Sequence, residues 1–321
     1  MLVQYNVLII GAGRIGALFD NPLSDKVFTH ANAFSQDKRF NLLGFVDSDE
    51  QRAKKAAQIW NCKFFTNIKE AFDSTKIDVV CVAVPDEYHY DVLKELSIFP
   101  IKFVFAEKPL TKTLDQAVEI IELYNKKSIP ISVNYTRRFV PEFVQIKEKI
   151  KNGDFGTFIA GNAYYGKGFL HNGSHLIDLL RYFLGEIKRS KIVSRQIDFC
   201  KDDPSISAIL TLSEDKSFFV QNVDSNLFTI FEVDLLFEKK RIRVVDSGFN
   251  VEMYDVQESK FFSGYKNIVK QQTINTSLDK ALLFAVNNIG NYLEGLEPLV
   301  YMAEDALCTM KSCFKILAED F

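Results

Sequence analysis

The chain has 321 residues, 47% of them hydrophobic and 25% charged, with a net charge of -3 and a pI near 5.9. That length allows two domains, each with a sizeable core, and the composition is ordinary for a soluble globular protein. The weakly acidic balance gives no electrostatic reason for a nucleic-acid partner, and no run reaches the roughly 18 to 20 apolar residues that a membrane span requires. Five cysteines, Cys62, Cys81, Cys200, Cys308 and Cys313, show no paired spacing of a metal site or disulfide framework. Reduced thiols in a cytoplasmic protein fit best.

The first ten residues are apolar, short and without a basic leader, and they run into a glycine turn. They read as a first strand rather than a signal peptide. From there strand and helix patterns alternate. Strands are predicted over residues 6–10, 42–46, 77–83, 102–105 and 129–133, with helical patterns between them, for example 48–60 and 114–126. Near-continuous apolar strands in such an alternation argue for a parallel sheet covered on both faces. After about residue 125 the texture changes. A helix over 140–152 is followed by strand patterns over 157–165, 206–212, 218–223, 228–237 and 241–245, which suggests an antiparallel sheet. Two helical patterns, 278–293 and 303–317, close the chain. The expected fold is α/β: a doubly wound nucleotide-binding domain at 1–125, then an α+β domain at 126–321 for substrate and oligomerisation, with the last helices packed back on the first domain.

Gly11-Ala12-Gly13-Arg14-Ile15-Gly16 follows the first strand. In a dinucleotide turn the first glycine allows the tight bend, the second lets backbone approach a pyrophosphate, and the third lets helix and strand pack closely. The phosphate sits on the helix N-terminus, where free N–H groups and the dipole favour anions. Asp47 ends the second strand, where a carboxylate accepts ribose hydroxyls and repels a ribose phosphate, favouring NAD over NADP. The interval exceeds the usual 20 or so residues, and the polar, turn-rich segment 20–25 accounts for it as an insertion. A glycine turn without nucleotide, and Asp47 as the cap of a helix starting at Ser48, are the plainer alternatives.

Ala106-Glu107-Lys108-Pro109 follows the apolar run 103–105. Strand carboxyl ends are where open α/β sheets hold ligands, and Pro109 keeps Lys108 out of the helical region. A primary amine is thereby displayed where the sheet presents its chemistry. Of the four histidines, two fall in His171-Asn172-Gly173-Ser174-His175, ahead of an apolar helix stopped by Gly185. His175 then lies in the first turn, where the dipole disfavours the imidazolium and leaves the neutral ring that a general base needs. Asp178, three residues on, shares its face and could orient it. A zinc pair is the weaker reading, because Asn172-Gly173 interrupts the helix between the two rings; imidazoles capping the helix are another. No metal is expected.

These motifs resemble the Gfo/Idh/MocA oxidoreductase family, which includes glucose–fructose oxidoreductase and inositol dehydrogenase. The resemblance spans nearly the whole chain and rests on GAGRIG at 11–16, VPDEYH at 84–89, AEKP at 106–109, NYTRRFVP at 134–141 and HNGSHLID at 171–178. It implies a Rossmann domain followed by a domain with a large open sheet, the substrate between them above the nicotinamide, and Lys108 and His175 as catalytic residues. The cofactor contacts it suggests are Gly11, Ala12, Gly13, Arg14, Ile15, Gly16, Asp47, Val84, Pro85, His89, Glu107 and Lys108, although a histidine placed like His89 more often caps or packs. For a small sugar-like substrate the candidates are Lys108, Tyr135, Arg138, Tyr165, His171, Asn172 and His175, with Arg137 and Lys167 nearby. His30 reads as structural.

Relatives carry Asp where this chain has His171. That argues against a simple polyol dehydrogenase and makes a nucleotide sugar of a surface-polysaccharide pathway attractive. Family members often form homodimers or homotetramers through the open sheet face, which Phe228, Phe231, Val233 and Leu235 would line unless the closing helices cover them. Two other functions stay open: an NAD-binding sensor without turnover, and a sugar lyase or epimerase that uses bound NAD without net redox change.

Overall fold

The computed structural model describes residues 4–212 and 215–319. The chain forms two compact units, one of Met1–Phe139 with Asp279–Cys308, the other of Val140–Leu278 with Thr309–Phe321.

In the first unit, strands β1 (Tyr5–Ile10), β2 (Phe40–Val46), β3 (Lys63–Phe65), β4 (Val79–Val82), β5 (Phe103–Ala106) and β6 (Ile131–Val133) form one parallel sheet in the order β3-β2-β1-β4-β5-β6. Every residue of β4 and β5 is buried, as a parallel sheet covered on both faces requires. Strand order reverses between β1 and β4, the place where such sheets open a crevice. The register matters for function: Ile10 lies opposite both Val46 and Val82, and Val82 opposite Ala106. The carboxyl ends of β1, β2, β4 and β5 are therefore level. One further rung continues the ladder, with Gly11 N–H on Val46 O, Ala83 N–H on Ile10 O and Glu107 N–H on Val82 O, each at 2.8 Å. Gly11, Asp47, Ala83 and Glu107 leave the sheet along one edge.

The helices of this unit are α1 (His30–Gln36), α2 (Glu50–Trp60), α3 (Ile68–Ser74), α4 (His89–Leu96) and α5 (Leu114–Asn125). Side-chain oxygens of Thr29, Asp49, Asn67 and Thr113 cap four of them, each satisfying an N–H the helix cannot pair. The cap of α2 is Asp49 and not Asp47, which releases Asp47 from the structural role that the spacing allowed. The helix expected straight after the glycine turn is a five-residue π-helical turn, Arg14–Leu18. Its carbonyl at Ala17 accepts from the Trp60 indole N–H at 2.9 Å, so α2 holds the short turn in place.

In the second unit, α6 (Pro141–Lys151), β7 (Phe158–Tyr165) and α7 (Ser174–Leu184) precede β8 (Arg189–Cys200), β9 (Asp203–Thr211), β10 (Ser217–Asn222), β11 (Phe231–Phe237), β12 (Lys240–Val245), β13 (Asn250–Glu258) and β14 (Lys266–Asn275). Their order is β14-β13-β12-β11-β7-β10-β9-β8, antiparallel except for β7 beside β10. Of the closing helices, α8 (Ala281–Leu293) belongs to the first unit, and α9 (Ala303–Leu317) is divided after Cys308.

Alternation along β11 settles which residues line the outer face. Phe231, Val233 and Leu235 are at most 3% exposed and point into the core, while Phe228 lies before the strand and is exposed. The covered alternative thus holds for these three, and among the exposed large apolar residues of the sheet are Ile159, Tyr164 and Phe219. Around Asp234 on β11 the same sheet carries a charged lattice: Arg241 forks onto Asp234, and Arg243 and Lys270 meet Glu252. No described helix is long and apolar enough to cross a membrane.

Candidate functional site

The glycine turn divides its labour as a dinucleotide turn needs. Gly11 has φ 100°, and a Cβ there would fall 2.4 Å from Ala83 O; a Cβ on Gly16 would fall 2.1 Å from Gly11 O. Around the corresponding point on Gly13 nothing lies within 4 Å. Two glycines allow close backbone packing and the middle one leaves the turn open, so these residues fit a pyrophosphate. Ala12 is buried, and Arg14 is exposed on the π-turn with Ile15 beside it.

Asp47 is 7% exposed, with every acceptor position in use. Oδ2 accepts from the Ala12 N–H at 2.9 Å and from Arg52 Nε at 2.8 Å. Oδ1 accepts from the Asp49 N–H at 3.0 Å and Arg52 Nη2 at 2.7 Å. Burial works against the Asp47 charge, but the Arg52 fork and the two backbone N–H groups hold its acid below the ordinary carboxylate range. Asp47 thus braces the glycine turn through Ala12 and is neutralised by Arg52, a partner the sequence reading did not identify.

At the end of β5, Glu107 and Lys108 are half-buried, and neither lies in a helix. Glu107 Oε1 lies 2.8 Å from His30 Nε2 and accepts from Asn134 Nδ2 at 2.7 Å. Burial opposes the Glu107 charge; the His30 and Asn134 contacts and the Lys108 ammonium outweigh it and hold the acid low. His30 is fully buried at the start of α1, edge-on to Phe105 at 5.0 Å. It is structural, and what it positions is the residue next to Lys108. His89, expected beside the cofactor, is also fully buried. Its Nδ1 lies 2.6 Å from Pro109 O and its Nε2 3.0 Å from Val84 O. Both ring nitrogens face carbonyls, which leaves neither for a ligand; the ring ties the Val84-Pro85 loop to the lysine loop. Tyr135 is buried against Tyr301, and the Arg138 guanidinium lies over that same ring at 4.9 Å.

In the second unit the histidine segment is held by the β8–β9 hairpin. Asp198 accepts from the N–H of Lys167 at 2.6 Å, of Gly168 at 3.3 Å and of Ser225 at 3.2 Å, and from the Ser205 hydroxyl at 2.7 Å. Burial raises the Asp198 acid, and these donors together bring it below its usual value. Asp203 accepts from the N–H of Leu170 at 2.7 Å and of His171 at 2.8 Å. Gly168 has φ 78°, and a Cβ there would fall 2.2 Å from Asp203 Oδ2, so only glycine permits this approach.

A π-helical turn, Phe169–Gly173, leads into α7 through Gly173, itself in the right-handed helical region. Helical backbone therefore begins ahead of Ser174, and the open N–H groups sit near Leu170 and His171, where a carboxylate meets them. His175 lies in the first turn of α7, as expected, with the π-helical turn directly before it. His175 itself is half-buried on α7. Asp178 is buried and accepts from the Thr309 hydroxyl at 3.0 Å. The His171 ring stacks on Phe199 at 4.6 Å, and Asn172 Nδ2 donates to Gly166 O at 2.8 Å.

Tyr165, expected to line a pocket, is fully buried, with its hydroxyl donating to Ile206 O and accepting from Ile206 N–H. It belongs to the core because it sits on the inward register of β7. Among the described residues no group of three or more His, Cys, Asp or Glu side chains is arranged to hold a metal ion.

Asp203→Asn keeps the side-chain volume but turns an amide towards one of the two backbone N–H groups. It is expected to cost about 2 to 3 kcal/mol, the range for a charge-assisted bond lost in a buried setting. Urea unfolding of the variant measures this; a change under about 0.5 kcal/mol would show that the carboxylate does not hold the turn.

A parallel sheet with a glycine turn and an acidic residue at its switch point defines a dinucleotide-binding Rossmann unit. Residues 5–135 match the family described as "Oxidoreductase family, NAD-binding Rossmann fold", the Gfo/Idh/MocA family, and over that stretch the chain is similar to it. Among its relatives, an uncharacterized oxidoreductase of Schizosaccharomyces pombe is 27% identical over 188 residues, 53% of this chain and 49% of that protein. The match thus spans about half the length of that relative. An inositol 2-dehydrogenase of Corynebacterium glutamicum is 24% identical over 266 residues, 76% of this chain and 74% of that protein. In fold, the chain is similar over its whole length to a dehydrogenase from Chromobacterium violaceum, with a TM-score of 0.79 and 16% identity, covering 100% of this chain and 96% of that one.

Proposed function

We propose that this oxidoreductase is NAD-dependent and moves a hydride between a carbinol carbon of a sugar, nucleotide sugar or polyol and the nicotinamide ring. The observation that carries the reading is the register of the first sheet. It brings Lys108 to the same edge as the glycine turn and Asp47, where open α/β sheets bind their ligands. The first unit is read as the cofactor-binding part and the second as the substrate-binding part.

The nicotinamide, when bound, supplies the hydride acceptor or donor. Lys108 hydrogen-bonds the reacting oxygen and stabilises its developing negative charge, with its backbone steadied by Glu107 and by His89 on Pro109 O. His175 takes the hydroxyl proton in oxidation and returns it in reduction. His171 and Asn172 stand one turn before His175, and His171, packed on Phe199, occupies the place of the family carboxylate. This favours a substrate other than a plain polyol, and a nucleotide sugar of a surface-polysaccharide pathway is the first choice. The reading extends to a cytoplasmic setting, with Cys81 and Cys313 as buried thiols, and to a homodimer or homotetramer.

The test is a screen of polyols, sugars and nucleotide sugars with NAD, and of their keto forms with NADH, following nicotinamide absorbance. At least one pair is expected to turn over. A bound cofactor that keeps its redox state across the whole panel, in both directions, would overturn the reading.

A further inference from the structure

Asp47 stands at the end of β2, where a lone carboxylate selects NAD by bonding the ribose diol and repelling a ribose phosphate. Here it is not alone. A carboxylate offers about four lone-pair positions, and all four are taken, by Ala12 N–H, Asp49 N–H and two nitrogens of one Arg52 guanidinium. The backbone donors belong to the turn and the α2 cap region, so they are fixed. The arginine is the exchangeable partner: its side chain is 43% exposed, and its third nitrogen reaches the exposed Asp49 at 3.5 Å.

Two consequences follow from charge and geometry. The Asp47–Arg52 pair is neutral, so the repulsion that excludes a 2′-phosphate is cancelled where it would act. A ribose diol reaches Asp47 only by displacing Arg52, so NAD binding breaks a forked ion pair. A 2′-phosphate instead brings its own acceptors to the guanidinium, a planar fork that suits phosphate.

We propose that Arg52 is a specificity-determining residue that lets this chain accept NAD and NADP with little discrimination, competing with the ribose for Asp47 and serving as the counter-charge to the 2′-phosphate. The inference rests on the reading of the glycine turn as a dinucleotide site.

The experiment is equilibrium binding of NADH and NADPH to the full chain, by cofactor fluorescence, in wild type, Arg52→Gln and Arg52→Lys. Wild type is expected to bind both within about tenfold of each other, and Arg52→Gln to weaken NADPH by at least about tenfold while NADH holds or tightens, since a phosphate then loses its forked partner. Arg52→Lys, which keeps the charge without the fork, should fall between them. Thermal unfolding of each variant shows whether it is folded. A wild-type preference above about a hundredfold for either cofactor, or a Gln variant in which both affinities move together, would overturn the proposal. Binding of neither cofactor to wild type would instead overturn the dinucleotide site itself, which separates the two failures.

Discussion

Replacing Lys108 by Met or His175 by Gln is expected to lower kcat by about a thousandfold, with the affinity for NADH within about threefold of wild type. General acid–base transfer contributes roughly a hundred- to ten-thousandfold, and a donor aimed at a developing oxyanion is worth about a hundred- to a thousandfold. Hydrogen bonds from other residues hold the scaffold around the lysine: Glu107 meets His30 and Asn134, and Pro109 O meets His89. Met keeps the unbranched stem and its packing, and removes only the charge. His175 is one half-buried residue of an eleven-residue helix anchored by buried Leu176, Ile177, Leu179, Leu180 and Phe183, so Gln preserves the helix. If both groups serve one transition state, the double variant loses little more than either single one. Steady-state kinetics, with cofactor titration as the control, decides the matter. Turnover within about tenfold of wild type in either single variant removes that residue from the chemistry.

The second large effect concerns the glycine turn and separates packing from binding. Gly16→Ala puts a methyl group 2.1 Å from the Gly11 carbonyl and in contact with Ala83 Cβ at 3.6 Å. Neither wall is a flexible side-chain end, and Gly11 is itself pressed against Ala83. The turn has to shift, at the roughly 1 to 3 kcal/mol typical of overpacking, which lowers Tm by a few degrees or more. The displaced backbone also loses NADH affinity, by at least about tenfold. Gly13→Ala is the contrasting case: with nothing within 4 Å, the methyl group fits the free protein and Tm is expected to hold. It then occupies the room left for a pyrophosphate, and NADH affinity falls by about tenfold or more. Calorimetry on both variants with and without NADH checks the contrast. A Gly13→Ala protein that binds NADH as wild type does would place the phosphates elsewhere.

Much of the fold was legible. The five strands expected in the first sheet and the helices over residues 48–60 and 114–126 are present, within two residues at most ends, because buried parallel strands read as unbroken apolar runs. Of the strands not foreseen, β13 is an interior strand with Val251 and Met253 buried, and the others have little burial. Strand β14 is exposed along almost its whole length and β8 along most of it; both are edge strands of their sheet. An edge strand facing solvent carries no period-two apolar pattern, and only its backbone partner reveals it. Which face of β11 is covered was left open for a related reason. Phe231, Val233 and Leu235 show the alternation of a strand, but alternation alone does not say which face is covered.

For the site, residue types and spacing within one segment determined the glycine turn, the lysine at the end of a strand and the paired histidines, because each motif is local and its chemistry follows from its neighbours in the chain. Tertiary structure alone decided the partners. Asp203 reaches back to the N–H groups of Leu170 and His171, His30 reaches Glu107, His89 closes on Pro109, and Arg52 forks onto Asp47. Those contacts join residues five to seventy-seven positions apart. They form because buried polar atoms must find donors or acceptors, and which ones they find depends on how strands and helices bring separate segments together.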